Sequence, residues 1–203
     1  MRVPWLSWAL FSTVTAFAGD SMKVAVCNIG QLPETAIVRA EAEAAYVFQS
    51  MGVEIRWTDC RTEVGAQDAR MRPDFVVRVR VGGHISKIGP TSLEAMGRAF
   101  LNADGIGDMA DVYYGAIREL AQLNPIAGDD QVMGYTIAHE LGHLLIGAGH
   151  RPNGLMRAAL GKKELDALNH RHLKFNEDEQ TAIRIKLASR AALPDSSFTG
   201  AWH

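Results

Sequence analysis

The sequence predicts a single α/β domain of the α+β type, in which a twisted mixed sheet packs against a central helix and a C-terminal helix. Three observations predict it: an early strand-helix-strand unit, an alternating strand over residues 75–81, and two helical stretches in the second half. With 203 residues, 47% of them hydrophobic, the chain can build one sizeable core. Its formal net charge of -2 provides no basic stripe, which argues against a nucleic-acid partner.

The first 18 residues are predicted to be a secretory signal peptide. Arg2 precedes an apolar run over residues 3–18, which ends in the small-x-small pattern Ala16-Phe17-Ala18. We therefore expect residues 19–203 to form one exported domain, secreted or periplasmic, with no membrane span in the body of the chain.

The strand-helix-strand unit covers residues 22–58. An apolar strand over 22–28 is followed by a helix that Pro33 opens and Gly52 ends, and a strand over 53–58 alternates apolar and polar residues. The apolar face of the helix consists of Ile37, Ala44, Val47, Phe48 and Met51. If the two strands are parallel neighbours, Cys27 and Cys60 can form a disulfide, which an oxidising compartment favours.

The remaining elements are less strongly patterned. Alternation predicts a strand over 75–81, and weaker patterns predict short strands near 99–102 and 112–114. A helical turn is expected at 117–123, a helix at 128–147 with Asp129 or Asp130 as N-cap, and an irregular basic segment at 157–174. The residues Asn176-Glu177-Asp178-Glu179 predict the N terminus of a last helix, which Ile183 and Leu187 would pack onto the core.

The helix over 128–147 contains the motif His139-Glu140-Leu141-Gly142-His143. Residues four apart lie on one helical face, so His139 and His143 can bind one Zn²⁺ ion. Glu140 beside them can accept a proton from a water molecule whose pKa the metal lowers from about 15.7 to about 7. This combination indicates hydrolytic chemistry.

A third histidine follows the helix. Gly147 is predicted to end the helix in a left-handed conformation, which would let His150 return to the metal. Three histidine ligands leave a coordination position open, as catalytic zinc sites do.

These residues resemble the metzincin zinc-peptidase signature, HExxHxxGxxH followed by a Met-turn, as in matrix-metalloproteinase-like and archaemetzincin-like members and uncharacterised secreted bacterial proteins. The Gly-x-x-His unit is intact, but one extra residue stands before it, so His150 is seven residues after His143. The resemblance implies a zincin fold, a metal site of His139, His143 and His150, the catalytic base Glu140, and Met156 as the floor beneath the metal. It also implies that an edge strand at 97–103 pairs with an extended peptide or protein substrate.

Other assignments remain open at this stage. The third ligand could be a downstream glutamate, as in gluzincins, or a later histidine: Glu164, Glu177, Glu179, His170 or His172. His84 and His203 have no partner pattern, and Met156 could be an ordinary core residue. Ala158 and Ala159 stand where astacin-type and serralysin-type members carry a tyrosine. Candidate donors to the tetrahedral intermediate are therefore Tyr113, Tyr114, His170 and His172.

The residues thus predict a secreted, monomeric zinc endopeptidase that uses Glu140 as general base. Two alternatives are a zinc amidase acting on a cell-wall or other non-protein substrate, and a secreted zinc-binding protein with little turnover.

Overall fold

The computed structural model describes residues 20–60, 72–83, 91–92 and 96–191, so the predicted signal peptide at 1–18 lies outside the described residues. In chain order the elements are β1 (Ser21–Asn28), α1 (Glu34–Gln49), β2 (Glu54–Asp59), β3 (Phe75–Arg80), β4 (Thr91–Ser92), β5 (Gly97–Phe100), β6 (Met109–Tyr113), α2 (Tyr114–Leu123), α3 (Asp129–Ile146), β7 (Ala159–Leu160), α4 (Lys162–Asn169) and α5 (Glu177–Ala191). None of the described helices combines the length and the apolar composition of a membrane span.

Five strands form one mixed sheet in the order β2-β1-β3-β6-β5. Strands β2, β1, β3 and β6 run parallel to one another, and β5 pairs antiparallel with β6. The short strands β4 and β7 form a separate antiparallel pair. The predicted mixed sheet is therefore confirmed, and β5 is an edge strand within the described part of the chain.

The first strand, helix and second strand form the predicted parallel unit. The register aligns Val26 with Asp59, which brings the next residues of the two strands together. Cys27 and Cys60 form a disulfide there, with their Cα atoms 5.1 Å apart. All five predicted apolar positions are buried in the core, although the helix ends at Gln49 and Met51 lies beyond it.

Helix α3 runs through the centre of the molecule and is buried along most of its length. Helix α1 crosses it closely at Gly134, where an added Cβ would lie 2.6 Å from the carbonyl oxygen of Ala40. Helices α2 and α5 and strands β5 and β6 also contact α3. The apolar inner face of the sheet, with Phe75, Val77 and Val112 fully buried, closes the core.

Several boundaries differ from those predicted. The turn expected at 117–123 is a ten-residue helix that begins at Tyr114, and β6 begins at Met109 rather than at 112. The segment 157–174, predicted to be irregular, contains helix α4. Only Leu165 and Leu168 of α4 are buried, so its apolar signal is too sparse to recognise in the sequence. Val81 lies beyond β3 and is 61% exposed, although the alternation had placed it in the strand.

Candidate metal centre

Helix α3 positions the first two histidines and the glutamate. His139 and His143 lie one turn apart in its second half, Glu140 directly follows His139, and all three are buried. The N-cap is Gly128, not Asp129 or Asp130 as predicted. Its amide donates to Gln131 Oε1 over 3.1 Å. The two aspartates lie in the first turn instead, where negative charge is favourable at the positive end of the helix dipole.

The loop after α3 brings His150 back towards the helix. Gly147 has φ 86° and ψ -174°, so it is extended with positive φ rather than left-handed helical as predicted. Gly149 also has positive φ, 102°. Two conformations that favour glycine thus turn the chain within four residues, and one ligand atom each from His139, His143 and His150 lie within 4.8 Å of one another.

Backbone carbonyl groups orient two of the three rings. His139 Nδ1 lies 2.9 Å from the carbonyl oxygen of Leu155, and His143 Nδ1 lies 3.1 Å from that of Gly147. Because a carbonyl oxygen only accepts, both Nδ1 atoms carry the proton, and each Nε2 presents a lone pair. Such outer contacts fix the tautomer and the ring orientation of metal-binding histidines.

The three imidazole rings fit a metal ion. The Nε2 atoms of His139 and His143 are 3.0 Å apart, and two lone pairs at that distance repel each other unless a cation lies between them. His150 Nε2 is buried and has no hydrogen-bond partner among the described residues, a costly state that coordination would relieve. Three neutral imidazoles are a donor set that Zn²⁺ prefers.

Burial lowers the pKa of His139 to about 3, with the neighbouring histidines adding to this effect and the Leu155 carbonyl opposing it. The ring is therefore neutral across the physiological range. Neutral imidazole is the form that binds a metal.

Glu140 lies under the edge strand, where Gly97 of β5 makes room for it. A Cβ added at Gly97 would lie 2.8 Å from the Cδ atom of Glu140. The Glu140 side chain is 2% exposed and lines the same cleft as the three histidines. A glycine in β5 therefore lets the carboxylate lie directly beneath the strand.

Met156 lies beneath α3 as a fully buried residue. A Cβ added at Gly142, between His139 and His143, would lie 2.5 Å from Met156 Sδ and 3.0 Å from a ring carbon of Phe175. The glycine inside the motif thus allows the thioether to approach the helix axis. Arg151 N also donates to the Met156 carbonyl over 2.7 Å, which closes the loop that directly follows His150.

A cleft of about 600 Å³ opens over the histidines. Its walls are formed by the edge strand on one side and the loop after α3 on the other: Gly97, Arg98, Ala99, Leu101, His139, Glu140, His143, Ala148, Gly149 and His150. The cleft is open to solvent rather than closed.

The other candidate ligands do not join the cluster. Glu164 accepts from the Gly161 amide, Glu179 accepts from the Asn176 amide, and Glu177 is exposed. His170 and His172 are exposed at the end of α4, as expected for surface residues. His84 and His203 lie outside the described residues.

None of the four proposed donors to the tetrahedral intermediate lines the cleft. The hydroxyl group of Tyr114 donates to Asp129 over 2.5 Å, and Tyr113 ends β6. His170 bonds to the Asp166 carbonyl within its own helix. These four positions therefore do not supply that contact in this arrangement.

Sequence reasoning missed three supports of the site. Gly97 and the carbonyl of Leu155 are distant in sequence from the side chains they meet, so no local pattern identifies them. Gly142 could have been noticed, because a glycine inside a helix costs about 1 kcal/mol relative to alanine and usually marks a close approach.

Comparisons with known proteins address the fold. No family model and no curated protein matches the chain. Among solved structures, the chain is similar to an archaemetzincin from Methanopyrus kandleri, with 18% identity over 84% of this chain and 98% of that chain, at a TM-score of 0.49. It is also similar to metalloproteinase-II from Bacteroides fragilis, with 15% identity over 83% of this chain and a TM-score of 0.50, and it spans 53% of that protein's length. At such identities a likeness shows the fold alone, and the fold shared with metalloproteinase-II confirms the predicted metzincin-like zincin fold. The cluster of three histidines fits a zinc site of the predicted type.

Proposed function

We propose that this protein is a secreted zinc metalloendopeptidase that hydrolyses peptide bonds with Glu140 as general base and acid. The observation that carries the proposal is the convergence of one ring nitrogen from each of three histidines beside a buried carboxyl group, at the floor of an open cleft. The solved structures with a similar fold are described as an archaemetzincin and a metalloproteinase, which supports a peptide substrate for this chain as well.

His139, His143 and His150 would hold the metal, and Met156 would form the apolar floor beneath it. When bound, zinc polarises a carbonyl group and lowers the pKa of a water molecule. Glu140 would take the proton from the attacking water and later deliver it to the leaving amine. The hydrogen bonds to the carbonyl oxygens of Leu155 and Gly147 would orient the His139 and His143 rings towards the metal.

Strand β5 would bind the substrate along its free edge. Tyr113 N donates to the carbonyl of Met96 over 2.7 Å, and hydrogen-bonded pairs alternate along an antiparallel ladder. Gly97 and Ala99 therefore direct their amide and carbonyl groups away from β6 and towards the cleft. An extended peptide added there would gain affinity from main-chain hydrogen bonds.

The disulfide supports export. Disulfides persist in oxidising compartments, and the Cys27–Cys60 bond lies in the sheet that carries the site. Together with the apolar segment at 3–18, it favours a secreted or periplasmic location.

The substitution Glu140→Gln tests the function. It preserves the shape of the side chain but removes the base, so we expect zinc content to remain at the wild-type level and kcat to fall by at least about 100-fold. The measurements are elemental analysis and cleavage of a peptide library followed by mass spectrometry.

Each result separates the proposal from its rivals. Hydrolysis retained by Glu140→Gln would contradict the mechanism. Wild-type cleavage of cell-wall amides but of no peptide would favour the amidase, and zinc binding without turnover of either class would favour a binding protein. Glu177→Gln, an exposed carboxylate on α5, serves as the matched control and should behave as wild type.

A further inference from the structure

The face of the sheet that points away from α3 carries an excess of positive charge beside the cleft. Asp111 of β6 is 2% exposed, and its two oxygens meet Arg78 Nε at 2.6 Å and Arg80 at 3.1 Å. Its charge is thus already compensated by two guanidinium groups. Arg98 of β5 lies opposite Asp111 in the ladder and adds a third.

Arg98 is exposed, and among the described residues no carboxylate lies within ion-pair distance of it. Its guanidinium carbon lies 5.7 Å from the centroid of the Phe100 ring, and that of Arg78 lies 5.4 Å from the same centroid. Phe100 therefore provides a half-exposed aromatic surface that keeps two positive charges at the edge of the sheet.

The pleat of β5 fixes the face on which Arg98 lies. Because the Cβ position of Gly97 points at Glu140, Gly97 and Ala99 face α3, and Arg98 and Phe100 face the opposite side. A substrate residue paired with Arg98 would place its side chain on that same outer face, away from the metal ligands.

The ladder also fixes how close that substrate residue would come. By the same alternation, the backbone N–H and C=O groups of Arg98 face Asp111 of β6 and point away from the free edge. A substrate residue opposite Arg98 would therefore form a non-hydrogen-bonded pair with it. In an antiparallel pair, side chains at such positions are the nearest cross-strand neighbours, with Cβ atoms about 4.5–5.5 Å apart. Opposite charges at this separation attract, and like charges repel.

We propose that Arg98 selects substrates that carry an aspartate or glutamate at the position paired with it on the free edge of β5. This inference rests on the proposed function, because it assumes a peptide bound along β5. A lysine or arginine at the same position would face Arg98, Arg78 and Arg80, whose charges outnumber that of Asp111.

A series of otherwise identical peptides, in which a single glutamate or lysine is moved one residue at a time, tests the proposal. We expect one position at which glutamate gives about a three- to tenfold higher kcat/KM than lysine, as for a solvent-exposed charge pair. The preference should shrink as ionic strength rises, because salt screens exposed charges. Moving the glutamate by one residue places it on the face of Glu140 and should abolish the advantage.

Variants identify the residue responsible. Arg98→Gln should remove the preference, and Arg98→Glu should reverse it in favour of lysine. Arg56→Gln is the matched control, because Arg56 is an exposed arginine on β2 at the opposite edge of the same sheet. It should keep the wild-type preference.

Binding to zinc-loaded Glu140→Gln protein, measured by fluorescence anisotropy, separates this proposal from the proposed function. Preferential binding of the glutamate peptide without cleavage by the wild type would support the role of Arg98 and contradict peptidase activity. Cleavage without any charge preference, or a preference unchanged in Arg98→Gln, would overturn the role of Arg98 alone. Failure of every peptide to bind would overturn both.

Discussion

At the residue scale, the site depends on groups that leave space as much as on groups that bind. Gly97 leaves room for the Glu140 carboxylate, and Gly142 leaves room for Met156 Sδ. The carbonyl groups of Leu155 and Gly147 fix the tautomers of two histidines. A catalytic side chain held by such contacts is already oriented before substrate binds, which lowers the cost of reaching the reactive geometry.

The substitution Gly97→Ala tests this arrangement. The new Cβ would displace the Glu140 carboxylate, and misplacing a catalytic group by about 1 Å can cost about 100-fold in rate. We expect kcat to fall by about 10- to 100-fold while zinc content stays at one ion per chain. Gly82→Ala adds the same methyl group where, apart from its neighbours in the chain, no atom of the described residues lies within 4 Å, and it should leave kcat unchanged. Equal rates for the two variants would contradict the assigned role of Gly97.

Glu41 of α1 predicts a pH-dependent stability. Burial, and then the charges of Glu34 and Asp59, raise its pKa from 4.5 to about 7. Between these values the folded protein binds more protons than the unfolded chain, so stability is greatest at low pH and falls as pH rises from 4.5 towards 7.

Glu41→Gln should remove that dependence. Because the carboxyl group is partly solvent-screened, we expect a gain of only about 1 kcal/mol in the free energy of unfolding at pH 7.5, and no gain near pH 4. Urea unfolding at both pH values measures the difference. Glu177→Gln is again a suitable control, and a loss of stability in Glu41→Gln at pH 7.5 would contradict the prediction.

At the scale of elements, the close crossing of α1 and α3 holds in the core the helix that carries the proposed metal ligands His139 and His143. Gly134→Ala would place a Cβ 2.6 Å from the carbonyl oxygen of Ala40 and 3.2 Å from the amide nitrogen of Ala44. Both are backbone atoms and cannot rotate away. We expect a loss of about 1–3 kcal/mol in the free energy of unfolding, despite the higher helix propensity of alanine.

Urea unfolding of Gly134→Ala beside Thr181→Ala, an exposed position on α5, checks this prediction. A Gly134→Ala protein as stable as the wild type would show that the two helices can move apart without cost.

The elements that could be predicted from sequence are those whose signals are local. The β1-α1-β2 unit and α3 have clear periodicity, and the Asn176 and Glu179 contacts at the start of α5 reproduce the predicted capping box, with bonds of 2.9 and 2.8 Å. Helix α4 was missed because two buried leucines do not make a recognisable stripe. The bounds of β5 and β6 depend on their pairing with each other, which no local pattern contains.

At the scale of the whole molecule, the fold brings a local motif and distant segments to one place. The spacing of His139, Glu140 and His143 follows from helical geometry, which is why these residues could be assigned from sequence. The arrival of His150 depends on two glycines with positive φ, and Glu140 meets the edge strand only after the sheet has formed. At the opposite edge of that sheet, the Cys27–Cys60 disulfide links β1 to the residue that follows β2.

The metal content of the purified protein, compared between the wild type and His150→Ala, tests the central claim most directly. His172→Ala, which removes an exposed histidine, is the matched control. We predict one zinc ion per chain in the wild type and the control. In His150→Ala the affinity should be at least about 100-fold weaker, since even losing an outer-shell partner costs about 10- to 100-fold. Zinc bound equally well without His150, or no zinc in the wild type, would contradict the three-histidine centre.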